Sequence, residues 1–216
     1  MKDNNKVFFR LACLLLLIFV AFVFFRLQQT EKEENIRCAI LPVNSEAALS
    51  VIYNRKSVRN FIPDKPVREV DIQKIVKAGM SAPSGRDIRP WDILVIDDRE
   101  MLDSLAAGLP YAKMLETAPL AIVVCGDSTR SSYWYLDCSA VTENILLAVE
   151  ALGLGAVWTA AYPYEDRMKV IMRNTGLPAH IQPLAVIPVG YPAGNFEPKD
   201  KYDETKIHYN KWNKVE

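Results

Sequence analysis

Apolar residues recur along the chain at two spacings, which predict a succession of helices and strands. Between residues 67 and 80, Val70, Ile72 and Ile75 follow the helical period and lysines lie between them. Residues 120–125 form an almost unbroken apolar run, as expected of a strand buried on both faces. The pattern predicts helices over Ser45–Tyr53, Val67–Met80, Arg99–Ala107, Tyr135–Leu152 and Glu165–Met172, and strands over Trp91–Ile96, Leu120–Cys125, Ala156–Ala160 and Leu184–Val189. These elements are enough for one domain with a substantial core.

Two details refine these elements. Ser45 is a plausible N-cap for the first helix, because its hydroxyl can accept a hydrogen bond from a free backbone amide. The helix over 135–152 is apolar on nearly all sides, which is typical of a core helix, and Gly153 and Gly155 end it. After Pro192 the chain is polar with scattered aromatics, so we expect this tail to pack on another surface, such as a partner subunit.

The N-terminal residues predict a membrane anchor. Residues 7–25 are apolar except for Arg10, and the run is long enough to span a bilayer. A cleaved signal peptide is the alternative, but no small-residue cleavage site follows the run. We therefore expect a single-pass anchor or uncleaved signal in residues 1–27, a polar linker over 28–44 and the folded domain over 45–216.

The charges around the run leave open which side of the membrane the folded domain faces. Lys2, Lys6 and Arg10 precede the main apolar stretch and favour a cytoplasmic N-terminus, which would place the folded domain outside the cytoplasm. Arg26, Lys32 and Arg37 follow the run and weaken that asymmetry.

Charge and composition exclude two classes of function. The formal net charge is zero, and the first 26 residues carry four cations against Asp3, so the remainder is negative. A nucleic-acid-binding domain would instead be basic. The four cysteines lack metal-binding spacing and there are only two histidines, so no metal site is predicted.

Two stretches carry candidate chemistry. Residues 54–61, N-R-K-S-V-R-N-F, place Arg55, Lys56, Ser57 and Arg59 within five positions, and two guanidinium groups suit a phosphate. The alternative is a solvated basic turn. Residues 82–91, A-P-S-G-R-D-I-R-P-W, offer turn amides and a hydroxyl that could hold the edge of a polar ring, or form an ordinary loop. No catalytic triad and no G-x-G-x-x-G is legible, so the chemistry would fall to a bound cofactor.

Five motifs taken together resemble the nitroreductase family of flavin enzymes. They are R-K-S-V-R-x-F, A-P-S-G-x-x-x-x-P-W, the helix from Asp137 into G-L-G-A-V-W-T, V-G-Y-P, and the closing P-K-D-K-Y-D-E-T-K-I-H-Y-N-K-W. Each motif is weak alone, but their order is specific, and the resemblance covers residues 45–212. It implies an α+β, three-layer fold with a central mixed sheet flanked by helices. It also implies a homodimer with FMN at the interface and a C-terminal tail that wraps the partner.

The resemblance also implies roles for individual residues. The first motif would hold the FMN phosphate and ribityl chain, through Arg55, Ser57 and Arg59, and Lys56 or Arg59 would supply positive charge near flavin N1. The P-S-G loop, Pro83, Ser84 and Gly85, would reach the flavin from the partner chain. The family often has Asn and Gln where this chain has Asp87 and Arg89, and Asp87 cannot donate a hydrogen bond as an amide does. Trp158 and Thr159 would contribute backbone and hydroxyl contacts, and Lys199 or Lys201 would meet the phosphate.

The function implied is an FMN-dependent oxidoreductase. A hydride from NADH or NADPH would pass to flavin N5, and an electron-poor acceptor such as a nitroaromatic or quinone would then take the electrons. No side chain needs to act as acid or base, so we predict no catalytic residue. The alternatives are a reductive dehalogenase or flavin-processing relative of the same fold, or a membrane-tethered flavin-binding protein without turnover.

Overall fold

The computed structural model describes residue 19 and residues 22–26 and 44–212 of the chain. Residues 22–26 are helical. The helices that follow are α1 (Ser45–Asn54), α2 (Glu69–Met80), α3 (Arg99–Gly108), α4 (Trp134–Ala151) and α5 (Glu165–Thr175). The strands are β1 (Trp91–Ile96), β2 (Leu120–Asp127), β3 (Gly155–Ala156), β4 (Thr159–Ala160) and β5 (Ile181–Gly190). Short 3₁₀ turns occur at Gly85–Asp87, Lys113–Glu116 and Glu204–Lys206.

The strands form one sheet in the order β1-β2-β5-β3, with β4 also paired to β5. Every strand pair is antiparallel. The parallel part of the predicted mixed sheet is a single bridge between Ser57 and Ala156. The predicted α+β class is therefore confirmed.

Alternate residues of β2 enter two separate cores, which explains the unbroken apolar run. Leu120, Ile122 and Val124 pack with α2 and α4 on one face of the sheet. Ala121 and Val123 pack with α3 and α5 on the other face. Since successive side chains of a strand point to opposite faces, a strand between two helical layers must be apolar at every position.

The predicted strand over residues 156–160 is two short strands instead. Gly155 and Ala156 pair with Gly190 and Val189, and Thr159 pairs with Val186 in the same register. This register brings Pro188 opposite the gap between β3 and β4. Proline has no N–H to donate to a neighbouring strand, so the ladder is interrupted there.

The start of α1 also differs from the prediction. Ser45 is the first helical residue and not the cap. Asn44 precedes it, and the Asn44 Oδ1 atom accepts a hydrogen bond from the Ala47 amide at 3.1 Å. Asparagine caps helices about as well as serine, so the cap has moved by one residue.

The predicted membrane localisation is corrected. Within residue 19 and residues 22–26 and 44–212, no helix is both long enough and apolar enough to cross a bilayer. Most of the predicted anchor over residues 7–25, and the linker residues 28–43, lie outside the described residues. The described part of the chain therefore provides no membrane span.

Candidate cofactor site

The basic segment, residues 55–59, is held in an extended conformation at the edge of the sheet. The Val58 amide donates a hydrogen bond to the Ala156 carbonyl at 2.9 Å. Val58 is buried whereas Ser57 and Arg59 are exposed. In an extended chain neighbouring side chains point to opposite sides, so burying Val58 turns Ser57 and Arg59 outward.

Two further hydrogen bonds fix the chain just after the basic segment. The Ile62 amide donates to the Tyr191 carbonyl at 2.9 Å, and the Ala193 amide donates to the Asn60 carbonyl at 3.0 Å. Phe61 is buried between these contacts. The basic segment is thus anchored at Val58 and just beyond its end, and its position is set by the sheet.

Two of the three cations in the basic segment are paired with carboxylates of α4. Arg55 Nε lies 3.3 Å from Glu143 Oε1, and Lys56 Nζ lies 2.7 Å from Glu150 Oε1. Within residues 44–212, the side chain of Arg59 makes no ion pair or hydrogen bond. Arg59 is therefore the cation of this segment with the most charge left to offer a ligand.

The basic segment and the C-terminal tail enclose a common cavity of about 260 Å³. Its lining residues are mostly cationic: Arg55, Lys56, Ser57, Arg59, Glu197, Lys199 and Lys201. In the described part of the chain, Lys199 and Lys201 have no anionic partner. The structure thus brings together the residues predicted to meet a phosphate, and both lysines line the same space.

The P-S-G loop, residues 83–85, rests on the first turn of α4. The Gly85 amide donates a hydrogen bond to Asp137 Oδ1 at 2.9 Å. The Ser84 Oγ atom accepts from the Arg89 amide at 3.0 Å. The serine hydroxyl therefore helps to close the loop.

The residues after the P-S-G loop adopt a conformation that side chains rarely take. Arg86, Asp87 and Arg89 have φ angles of 54°, 55° and 50°. Non-glycine residues in this left-handed region carry strain, which occurs preferentially at functional sites. Three of the five non-glycine residues with positive φ in the described part of the chain lie in this loop.

Asp87 and Arg89 bind each other. Arg89 Nε donates to Asp87 Oδ1 and Arg89 Nη2 donates to Asp87 Oδ2, both at 2.7 Å. The hydrogen bonds from Arg89 hold the pKa of the Asp87 carboxyl below its usual value. Asp87 is thus an ionised, satisfied acceptor, and it does not replace the donor that an amide would provide.

The P-S-G loop and the basic segment contact different parts of α4. Asp137 holds the loop, whereas Glu143 and Glu150 hold the cations 6 and 13 residues further along. At 1.5 Å per residue these separations correspond to about 9 and 20 Å along the helix axis. One chain therefore holds its two candidate elements at different points along α4.

Trp158 and Thr159 follow β3 at the sheet edge. Trp158 is half-buried, and Thr159 is buried with its hydroxyl donating to the Val186 carbonyl. Because the hydroxyl proton is used within the sheet, only the lone pairs of Thr159 Oγ1 and the backbone remain for a ligand.

Three acidic residues of α4 with contacts at the candidate site were not predicted from the sequence: Asp137, Glu143 and Glu150. Glu143 and Glu150 are seven residues apart and so share one face of the helix. That spacing, in a helix that is mostly apolar, was the available signal. The cations that pair with these glutamates could not be read from the sequence, because Lys56 and Glu150, for example, are 94 residues apart in the chain.

A guanidinium stack, also missed, joins α5 to the connector before β2. The Arg167 Cζ atom lies 4.6 Å from the ring centre of Tyr111 and 3.8 Å from that of Tyr164. Arg167 Nη1 also donates to the Ala160 carbonyl at 3.0 Å. The Arg167 side chain thereby joins β4 to Tyr111 and Tyr164.

We expect Arg167→Ala to lower the free energy of unfolding by about 1–2 kcal/mol, since each exposed cation–π contact contributes about 0.5–1 kcal/mol. Urea denaturation would measure this. Lys169→Ala is the control: it removes an exposed pair with Glu165 on the same helix, which contributes only about 0.3–0.5 kcal/mol. Equal losses in the two variants would contradict the role given to the stack.

The fold and site first define a structural class: an α+β protein of three layers with a cationic cavity at its sheet edge. A family model described as the nitroreductase family matches residues 52–110 and 103–191. The chain belongs to the nitroreductase family, as the motifs predicted.

Three relatives illustrate the similarity. A crystal structure from Bacteroides thetaiotaomicron VPI-5482, provisionally named NADH dehydrogenase/NAD(P)H nitroreductase, is 63% identical, with a TM-score of 0.76, and the match covers 77% of this chain and 98% of that chain. A Methanothermobacter thermautotrophicus protein of the same provisional name is 44% identical over 173 residues, 79% of this chain and 90% of its own. A provisionally named nitroreductase from Desulfovibrio desulfuricans, solved in complex with FMN, is 28% identical over 77% of this chain and 98% of that chain, with a TM-score of 0.66.

Proposed function

We propose that this chain is an FMN-dependent oxidoreductase that transfers electrons from NADH or NADPH to electron-poor acceptors such as nitroaromatics and quinones. Relatives named NAD(P)H nitroreductase support the reductant, and the relative solved with FMN supports the cofactor. The cationic cavity at the sheet edge is the observation that carries the proposal.

The cavity fits a phosphate in charge and in donors. A phosphate monoester carries about −1.5 to −2 charges at neutral pH. Arg59, Lys199 and Lys201 line the cavity with no ion pair among the described residues, while Ser57 adds a hydroxyl. A dianion in this space would relieve the repulsion among the three cations and accept charge-assisted hydrogen bonds.

The cations of the cavity differ in whether an ion pair already neutralises them. Lys56 forms an ion pair with Glu150, and Arg55 forms one with Glu143. Both cations therefore neutralise carboxylates of α4 as well as line the cavity. Of Lys56 and Arg59, Arg59 is therefore the better candidate for the positive charge beside the cofactor. Lys199 and Lys201 both reach the phosphate in this proposal, because both line the cavity.

We further propose a homodimer in which each P-S-G loop contacts the flavin of the partner. Within one chain the loop and the basic segment contact different parts of α4, an arrangement compatible with the loop of a second chain completing the site. The C-terminal tail supports this proposal, because Tyr202, Tyr209 and Trp212 are 71%, 79% and 81% exposed. Three large aromatic side chains this exposed within one short segment fit a surface that a partner covers.

When bound, FMN would supply the redox chemistry, taking two electrons and a proton equivalent from NAD(P)H as hydride and passing the electrons to the acceptor. The residues of this chain would bind and orient the cofactor. Ser57 and Arg59 would hold its phosphate and ribityl end, and Pro83, Ser84 and Gly85 would border its ring. No side chain of the site needs to transfer a proton.

The colour of the purified full-length chain tests the proposal. We expect a yellow protein that releases FMN on denaturation, and we expect NADH or NADPH to bleach it in the absence of oxygen. Absorbance near the flavin band measures both outcomes. A colourless chain that FMN does not reconstitute would refute cofactor binding, whereas a yellow chain that neither nucleotide bleaches would refute the enzymatic role.

A further inference from the structure

Asp137 is a buried carboxylate with one unsatisfied oxygen directly beneath the P-S-G loop. Its exposed fraction is 6%. Oδ1 accepts the Gly85 amide at 2.9 Å, and Oδ2 is buried with no hydrogen-bond partner among the described residues. Leaving a charged oxygen buried and unpaired costs free energy, so its retention calls for a role.

Capping of its own helix does not account for Asp137. The residue lies in the first turn of α4, where the helix dipole favours a negative charge. Its hydrogen bond, however, goes to Gly85, 52 residues earlier in the chain, and not to an amide of α4. The carboxylate is therefore directed at the loop.

Asp71 is a buried carboxylate in a different electrostatic setting. It is 3% exposed, but Arg68 Nε lies 2.7 Å from its Oδ2 and Lys74 Nζ lies 3.6 Å from its Oδ1. Within residues 44–212, no cation lies within 4 Å of the Asp137 carboxylate. The charge of Asp71 is compensated, and that of Asp137 is not.

We propose that Asp137 is a positioning residue that fixes the P-S-G loop through the Gly85 amide, and that its uncompensated charge lowers the reduction potential of the flavin that this loop contacts. The proposal rests on the function proposed above. Reduction adds negative charge to the flavin, and a nearby fixed anion opposes that change. With a lower potential, the bound flavin would be a stronger electron donor to acceptors.

Asparagine and alanine substitutions separate the two roles. Asp137→Asn keeps an oxygen to accept the Gly85 amide but removes the charge, whereas Asp137→Ala removes both. Asp71→Asn is the matched control, since it alters a buried carboxylate whose charge is already neutralised. The readouts are the midpoint potential of the bound flavin, titrated against a reference dye, and the FMN Kd from flavin fluorescence.

We expect Asp137→Asn to shift the midpoint potential to a more positive value while the FMN Kd changes by less than about twofold. Asp137→Ala should show the same direction of shift and a Kd about tenfold weaker, because the loop loses a charge-assisted hydrogen bond. Asp71→Asn should leave both quantities unchanged.

An unchanged potential in Asp137→Asn would overturn the electrostatic role, and an unchanged Kd in Asp137→Ala would overturn the positioning role. If Asp137→Ala does not fold, the potential of Asp137→Asn still decides the charge effect. Failure of this inference shows as a lack of difference between variants that all bind flavin. Failure of the proposed function shows instead as a wild-type chain that binds none.

Discussion

Arg59→Ala is expected to weaken FMN binding by roughly 10- to 150-fold. The substitution removes one charge-assisted contact to phosphate, which contributes about 1.5–3 kcal/mol. Arg59 is exposed, and among the described residues it has no carboxylate partner, so the loss should appear in cofactor affinity and not in fold stability. Fluorescence titration of the apoprotein with FMN gives the Kd, and thermal unfolding of the apoprotein checks the fold.

The specificity of the Arg59→Ala effect needs matched comparisons. Arg173→Ala removes another exposed arginine, in α5, and should leave the Kd unchanged. Arg55→Ala should also weaken binding, but it leaves Glu143 without its partner, so its effect combines lost attraction with new repulsion. If FMN binds Arg59→Ala as tightly as wild type, the phosphate does not occupy the cavity that Arg59 lines.

Most of the layered fold could be predicted from the sequence, because each helix or strand leaves a periodic pattern of apolar residues within its own segment. For example, β1 was predicted with the bounds that the structure shows, Trp91–Ile96. The break between β3 and β4 could not be predicted from the sequence, because it arises where residues 157–158 lie opposite the part of β5 that contains Pro188. Pairing register is a property of the folded sheet, not of the strand's own residues.

The candidate site was predictable in its residue types but not in its pairings. Clustered arginines and the P-S-G sequence can be read directly, since both lie within a few positions of the chain. Which cation is neutralised depends on Glu143 and Glu150, which only the packing of α4 brings close. The same packing brings Asp137 into contact with the P-S-G loop, and no pattern within α4 alone predicts this contact.

Gly155 is the residue on which the position of the basic segment depends. A Cβ added at Gly155 would lie 2.7 Å from both Cβ and Cγ1 of Val58. Both atoms belong to a β-branched side chain with little freedom to rotate, and Val58 is also tied to Ala156 by the hydrogen bond from its amide. Only a glycine lets the basic segment approach β3 this closely.

We expect Gly155→Ala to lower the free energy of unfolding by about 1–3 kcal/mol, the usual cost of overpacking, and to weaken FMN binding because Ser57 and Arg59 move with Val58. Urea denaturation of the apoprotein and FMN titration measure the two effects. Gly153→Ala is the matched control: it adds a methyl group two residues away, where no atom lies within 4 Å, although φ is +68°. That variant should lose about 1 kcal/mol through backbone strain and bind FMN normally. Normal FMN affinity in Gly155→Ala would mean that the phosphate contacts do not depend on how the basic segment docks against β3.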